Sequence, residues 1–490
     1  MKSSAKILVI GLDSADPSLL NDWSGSGDLP VLQALRGRSR WGTLSSPLGL
    51  ADDGAWASFS TCVSPARHGR YFTRSLSSGS YDNPPFRDED LKFETFWSTL
   101  DRAGLRMAVI DVPKTPLAKT FDGIQIRDWI VHGRDGDIAS WPKELAAELF
   151  DRFGPDTADD WSRDGFLCEM TQLDQPRLMA LAKELSRSVQ HKRQVSLELL
   201  GRGNWDLYLV VFKETHCVGH QFWHLLDETR PAYDPSLARQ LGNPIKEVYR
   251  AIDTAIGDLL ELAGPDTYVI VFSDLGMAAN YTGEHLLDEI LVRLEPAAPP
   301  WHENPSADME RTLGAAAEGS AMGRMGPEHR RAIQVQHNEI SGAIRINLRG
   351  REPHGLVRPG SEFEDLCATL SRDLLNLENA ATGEGVVQEV LRTSEIFEGG
   401  HLDMLPDLFV VWKRDAPIER VRSDKFGELE LHSPRVRTGN HVKDGVFLLC
   451  GPGIEPEEQS AAASITDIGP TIAAILGSPL SDVDGKSLLS

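Results

Sequence analysis

Asp13, His216, His220 and Asp274 are the residues of this chain whose types and placement best suit metal binding. Each follows a short, continuous apolar run. Asp13 ends KILVIGLD, His216 and His220 follow DLYLVVF in KETHCVGHQFWH, and Asp274 ends TYVIVFSD. In open α/β sheets, ligands bind in the crevice beyond the carboxyl ends of the strands, so residues at equivalent strand ends converge on one crevice. His216 and His220 are four apart, share a face on a helix, and suit two ligands of one ion. A lone histidine is more often a hydrogen-bonded structural residue; a pair at this spacing just past a strand brings the two readings level. Asp13 and Asp274, each taken singly, read equally well as helix N-caps. His224 continues the series two turns on and need not share the face.

Two further residues could join them. Asp52 opens DDGAWASFSTCVSPARHG, a turn entering a helix with a proline-containing exit, where it could be a plain N-cap. His441 sits in RTGNHVKDGVFLLCGPGI just before an expected strand, and its Gly-Asn approach implies a turn that could deliver it to the crevice. Cys217 is one residue from His216, so it faces away and reads as a packed thiol. Trp56, Trp205 and Trp223 read as core. Arg127 reads as a paired surface cation, and His68 with Gly69 as a structural turn.

Positioning these residues requires a particular scaffold. The runs Lys6–Leu12, Arg106–Val112, Asp206–Phe212, Thr267–Phe272, Asp407–Trp412 and Gly445–Leu449 lack alternation, as expected of strands covered on both faces of a parallel sheet. Leu178–Leu200 and Ile245–Leu262 carry apolar residues at helical spacing. Strands alternating with helices indicate a layered α/β fold. Residues 295–335, with EPAAPP and GSAMGRMG, read as a loop or lid, and 343–412 as an insertion with extra strands and a helix.

Composition narrows the partners. The 490 residues are 41% hydrophobic and 25% charged, an ordinary soluble balance that permits roughly three domains or one large elaborated one. A net charge of −23 argues against a nucleic-acid polymer or an anionic membrane surface as partner. A small anionic substrate remains compatible, because bound metal can make a site locally positive. Five scattered cysteines without CxxC spacing, and an apolar start too short for a signal peptide, favour the cytoplasm. No apolar run is long enough to span a bilayer.

With these segments assembled, the chain resembles the alkaline phosphatase superfamily, in its type I phosphodiesterase/nucleotide pyrophosphatase-like branch of predicted phosphohydrolases and phosphomutases. KILVIGLDSADPSLL followed by LPVLQALRGRSRWGTLSS is similar to the opening strand and helix. WASFSTCVSPARHG resembles W-T-S-F-x-T-G-x-x-P-x-x-H-G, VVFKETHCVGHQFWHLLD the D-x-x-x-H junction, and VIVFSDLGM the S-D-H-G-M segment. IRINLRGREPHGLVRPGSEFE, LPDLFVVW, GNHVKDGVFLLCGPGI and SITDIGPTIAAILGSPLSDVDGKSL follow in order. The resemblance implies a three-layer sandwich with a largely parallel central sheet, read as one catalytic domain over 1–490. It also implies insertion or cap elements at about 295–435, two divalent metals, and a Thr or Ser nucleophile.

Carried across by position, Asp13 and Asp274 fall at carboxylate ligands, and His220 and His441 at histidine ligands. Three positions depart. The nucleophile position, sixteen residues before His68, is Asp52; the Asp of D-x-x-x-H is His216; the His of S-D-H-G-M is Leu275. One site thereby becomes His216, His220 and His441, suited to Zn²⁺, Fe²⁺ or another first-row ion. The other becomes Asp13, Asp52 and Asp274, suited to Mg²⁺, Mn²⁺ or Ca²⁺, and Leu275 removes one ligand from it. Asp53 and His285 are nearby spare donors. Asp52 could attack phosphorus as a carboxylate, or serve as ligand or base while water attacks. Three crowded carboxylates repel one another without a cation, which favours the ligand role. The expected function is metal-dependent hydrolysis of phosphate esters. A metalloenzyme acting on a non-phosphate substrate and a non-catalytic relative are the alternatives.

Overall fold

Ile7–Leu12 (β1) is buried along its whole length because helices cover both faces of the sheet around it. The computed structural model describes residues 6–129, 138–154, 173–228, 232–295, 326–337, 340–431, 437–459 and 462–489. The main sheet runs Glu457–Glu458 (β18), Arg40–Ser45 (β2), Asp444–Cys450 (β17), Tyr268–Ser273 (β7), β1, Leu207–Phe212 (β6), Met107–Ile110 (β3), Gly123–Arg127 (β4), Ala139–Trp141 (β5). Ala463–Ser464 (β19) also pairs with β2. The five strands β7, β1, β6, β3 and β4 are parallel.

Alternating side chains of β1 feed two cores. Leu8, Ile10 and Leu12 pack with Leu185 and Val189 of the Gln175–Gly201 helix and Ile252 of the Pro244–Ala263 helix. Ile7 and Val9 pack with Trp56 and Phe59 of the Asp52–Thr61 helix, Phe96, and Ile472 of the Ile468–Ile475 helix. The result is the expected helix–sheet–helix sandwich. The expected strands that became β1, β3, β6 and β7 agree with the structure to within two residues at each end.

Two expected members of the parallel sheet need correction. Leu408–Trp412 (β13) lies in a separate four-stranded antiparallel sheet, between Val387–Arg392 (β12) and Ser341–Ile346 (β10), with Ala332–Val335 (β9) beyond. Its run is unbroken because both faces are covered: Leu408, Val410 and Trp412 pack with the Glu284–Leu294 and Ser361–Leu375 helices, while Phe409 packs with Leu50 and Tyr71. Continuous burial carries no information on strand direction. The second correction is β17, which belongs to the main sheet but runs antiparallel to β7 and β2. It follows Gly439–Val442 (β16), which already runs antiparallel to Gly276–Ala279 (β8), the continuation of β7.

Glu378–Asn379 (β11), Arg420–Ser423 (β14) and Gly427–Glu430 (β15) make a small third sheet. Of the expected loop or lid at 295–335, residues 296–325 lie outside the described residues; the remainder forms a 3₁₀ turn at Pro327–His329 and β9. Among the described residues no helix is long and apolar enough to cross a membrane, and none of the four described cysteines forms a disulfide.

Candidate functional site

The Glu214–Phe222 helix starts just past β6, and all of its residues are buried. His216 and His220 leave it on one face, as their spacing requires. His441 reaches them from β16, where Gly439 lets the strand press against the helix: a Cβ there would lie 2.4 Å from Gly219 O and 2.8 Å from Trp223 Cβ. Thr438 N–H also donates to His220 O at 2.7 Å.

The three imidazoles converge. His216 Nε2 lies 3.2 Å from His441 Nε2 and 3.3 Å from His220 Nε2, and all three rings are fully buried. His220 Nδ1 faces the Gly439 carbonyl at 2.8 Å. A carbonyl only accepts, so Nδ1 carries the proton and Nε2 keeps its lone pair for the cluster. Nitrogens around a tetrahedral ion at ~2.0–2.1 Å are separated by about 3.3–3.4 Å, close to the spacings found here. Without a cation, a single His216 N–H must be shared between two acceptor nitrogens, whereas a shared cation takes a lone pair from each of the three.

The carboxylates gather beside them. Asp13 and Asp274 follow neighbouring parallel strands, and Asp52 is the first residue of its helix, with Ala51 as the N-cap. Asp13 Oδ1 accepts from Trp56 Nε1–H at 3.3 Å and Ser14 Oγ–H at 3.2 Å. Ser14 N–H donates to Asp274 Oδ1 at 2.8 Å, while Asp274 Oδ2 is buried without a hydrogen-bond partner among the described residues. Burial first, then the charge of Asp13 and of Asp52, pushes the Asp274 carboxyl well above the usual range. A buried carboxylate with an orphaned oxygen is the kind of donor an oxygen-seeking cation satisfies, but among the described residues only the three histidines bring three ligand atoms within 4.8 Å of one another. Asp52 Oδ1 lies 4.0 Å from His441 Nε2, and Thr215 Oγ1–H donates to Asp13 O at 2.6 Å, so the two clusters adjoin.

The remaining candidates have other surroundings. Asp53 is held by Arg70 at 2.9 Å and Lys114 at 3.7 Å. Leu275 is buried in the apolar core and offers no ligand. His285 is half-buried on the Glu284–Leu294 helix, His224 lies on a following 3₁₀ turn, and Cys217 packs in the core. Arg127 pairs with Asp88, Glu89 and Asp128. His68 is structural, bonded to Ser58 and Arg70. Trp56 is core, as expected, yet its indole N–H also holds Asp13. That role, like those of Ser14 and Thr215, has no sequence signal beyond adjacency to a candidate ligand.

Solved structures share this architecture. Alkaline phosphatase PafA is similar over 100% of this chain and 99% of its own, at 13% identity and a TM-score of 0.53. Phosphonoacetate hydrolase from Sinorhizobium meliloti, in complex with phosphonoformate, matches at 14% identity, covering 97% and 96%, with a TM-score of 0.52. An inactive variant of murine ectonucleotide pyrophosphatase/phosphodiesterase 5, in complex with AMP, matches at 13% identity, covering 99% and 98%, with a TM-score of 0.51. The three likenesses are of fold: a mixed α/β architecture with a large, largely parallel central sheet, shared with an alkaline phosphatase and two further proteins. No curated protein matches the chain by sequence. The chain belongs to the type I phosphodiesterase/nucleotide pyrophosphatase family, whose profile matches residues 7–441, a family of metal-dependent phosphoric-ester hydrolases.

Proposed function

We propose that this protein hydrolyses a phosphodiester or nucleotide-like pyrophosphate at a centre made of His216, His220 and His441 on one side and Asp13, Asp52 and Asp274 on the other. The observation that carries the reading is the meeting of three imidazole Nε2 atoms at 3.2 and 3.3 Å in a fully buried setting. Zn²⁺ or Fe²⁺ suits the imidazoles, and Mg²⁺, Mn²⁺ or Ca²⁺ the carboxylates. A divalent cation bound there supplies Lewis acidity toward a phosphoryl oxygen and offsets the charge gathering on it.

The chain's own residues do the rest. The Gly439 carbonyl fixes the His220 tautomer, and Trp56 and Ser14 orient Asp13. Asp52 has no hydroxyl to attack with. As one of three adjacent carboxylates it serves as ligand or as base, taking a proton from attacking water. A small anionic substrate fits a crevice whose acidic groups are neutralised by cations. A cytoplasmic setting is part of the same proposal, supported by five scattered cysteines.

A second reading has its own support. Leu275 at a family ligand position, together with Asp52 at the nucleophile position, favours a metalloenzyme whose substrate is not a phosphate ester. Metal analysis of the purified protein, followed by an ester panel with and without chelator, separates the two. Chelator-sensitive release from an aryl phosphodiester supports the first. One tightly bound metal with no esterase activity supports the second.

A further inference from the structure

The Gln175–Gly201 helix turns a lysine inward. Its buried stripe includes Leu185, Ser188, Val189, Lys192, Val195 and Leu199, so Lys192 occupies a place where helical periodicity favours an apolar residue. Lys192 is 1% exposed. Its ammonium donates to Asp111 Oδ2 at 2.7 Å and Val211 O at 2.9 Å, and lies 3.8 Å from Glu214 Oε2. Asp111 Oδ1 meets Lys213 Nζ at 2.9 Å and accepts from Trp129 N–H at 3.0 Å. Ser188, one turn before Lys192, donates to Glu214 Oε1 at 2.9 Å. Asp111 itself has φ 58°, a left-handed conformation that side-chain-bearing residues keep only when their surroundings enforce it.

The placement of this network gives it meaning. Asp111 follows β3, Trp129 lies just beyond β4, and Lys213 and Glu214 join β6 to the helix bearing His216 and His220. One carboxylate thus ties three neighbouring strand ends to the long helix behind them. Lys213 is also the N-cap of the histidine helix, where a cation opposes the helix dipole, and Asp111 supplies the compensating charge. Desolvation offsets much of what buried ion pairs contribute to stability, and their best-attested use is to select one arrangement among several.

We propose that Asp111, acting through Lys213 and Lys192, is a positioning residue that sets the pose of the Glu214–Phe222 helix and hence the convergence of His216 and His220 on His441. The proposal rests on the metal reading above. The test is zinc affinity of the full-length apo protein, measured by competition with a chromogenic chelator, for wild type, Asp111→Asn, Lys192→Met, Ser188→Ala and Asp288→Asn. Asp288 forms a buried pair with Arg330 at 2.6 Å and controls for loss of any buried ion pair. Thermal unfolding of each variant sets a temperature at which those compared are folded. Asp111→Asn and Lys192→Met are expected to weaken zinc binding about 10–100-fold, with Asp288→Asn unchanged. Wild-type affinity in folded Asp111→Asn, or an equal loss in Asp288→Asn, overturns the proposal. If both network variants fail to fold, Ser188→Ala decides: a loss of about threefold or more supports it, and none overturns it. A wild-type protein that binds no zinc overturns the metal reading itself, and this proposal with it.

Discussion

Oδ1 of Asp52 lies 4.0 Å from Nε2 of His441. A residue opening a helix early in the chain therefore abuts a strand residue near its end, and the imidazole and carboxylate clusters share a wall. Asp52 belongs to the candidate centre by position, and its chemistry can be tested directly.

Asp52→Asn keeps the shape and removes the charge. Metal-dependent turnover of an aryl phosphodiester is expected to fall by about 100-fold or more. Steady-state kinetics at saturating metal check this, and full activity would exclude a catalytic or ligand role.

Added zinc should raise the thermal midpoint of the wild-type protein. At a hundredfold excess over the dissociation constant, the gain is about 2.7 kcal/mol. His216→Ala leaves two imidazoles, and its midpoint should not respond to zinc over the same range. An undiminished shift would place the metal elsewhere.

Gly439 is where β16 touches the histidine helix, with only 2.4 Å available between an added Cβ and Gly219 O. Gly439→Ala must push strand and helix apart, at a cost of about 1–3 kcal/mol. Urea unfolding should show that loss, together with weaker zinc binding. Normal stability and normal affinity together would count against this packing.

His68 predicts acid sensitivity. Its Nδ1 accepts from Arg70 N–H at 3.1 Å, so its Nε2 carries the proton facing Ser58 Oγ at 2.9 Å. Burial, then Arg70 and His401, push its pKa down to about 3. The unfolded chain takes up this proton below about pH 6.5 and the folded chain does not. The stabilisation is therefore complete above that value and is lost as pH falls toward the folded pKa. His337, pushed down to about 4 by burial, acts in the same direction. Urea midpoints should fall between about pH 7.5 and 5, and His68→Gln should show a shallower slope. An unchanged slope would show that His68 does not govern it.

Much of this was legible because the residues concerned sit where local pattern is decisive. β1, β6 and β7 are continuous apolar runs ending in Asp13, the His216 helix and Asp274, and parallel strands necessarily bring such ends together. The i, i+4 spacing of His216 and His220 fixed their common face. Direction was not legible: β13 and β17 carry the same kind of run as β1, yet both are antiparallel, because burial on two faces is the same whichever way a strand points. Lys192 was hidden for another reason. A lysine on a helix ordinarily reads as a solvated face, and only its phase with Leu185, Val189 and Leu199 marks it as inward.

His441 and His216 are 225 residues apart in sequence. A ribosome-bound or truncated chain lacking β16 holds only two of the three imidazoles, and these lack the strand that packs against their helix. In the proposed metal centre, the third ligand therefore arrives only when β16 docks across the 225 intervening positions. Under the metal reading proposed above, ion capture reports the docking of β16 on the histidine helix: a chain ended before Gly439 lacks the third imidazole and is expected to bind zinc more weakly.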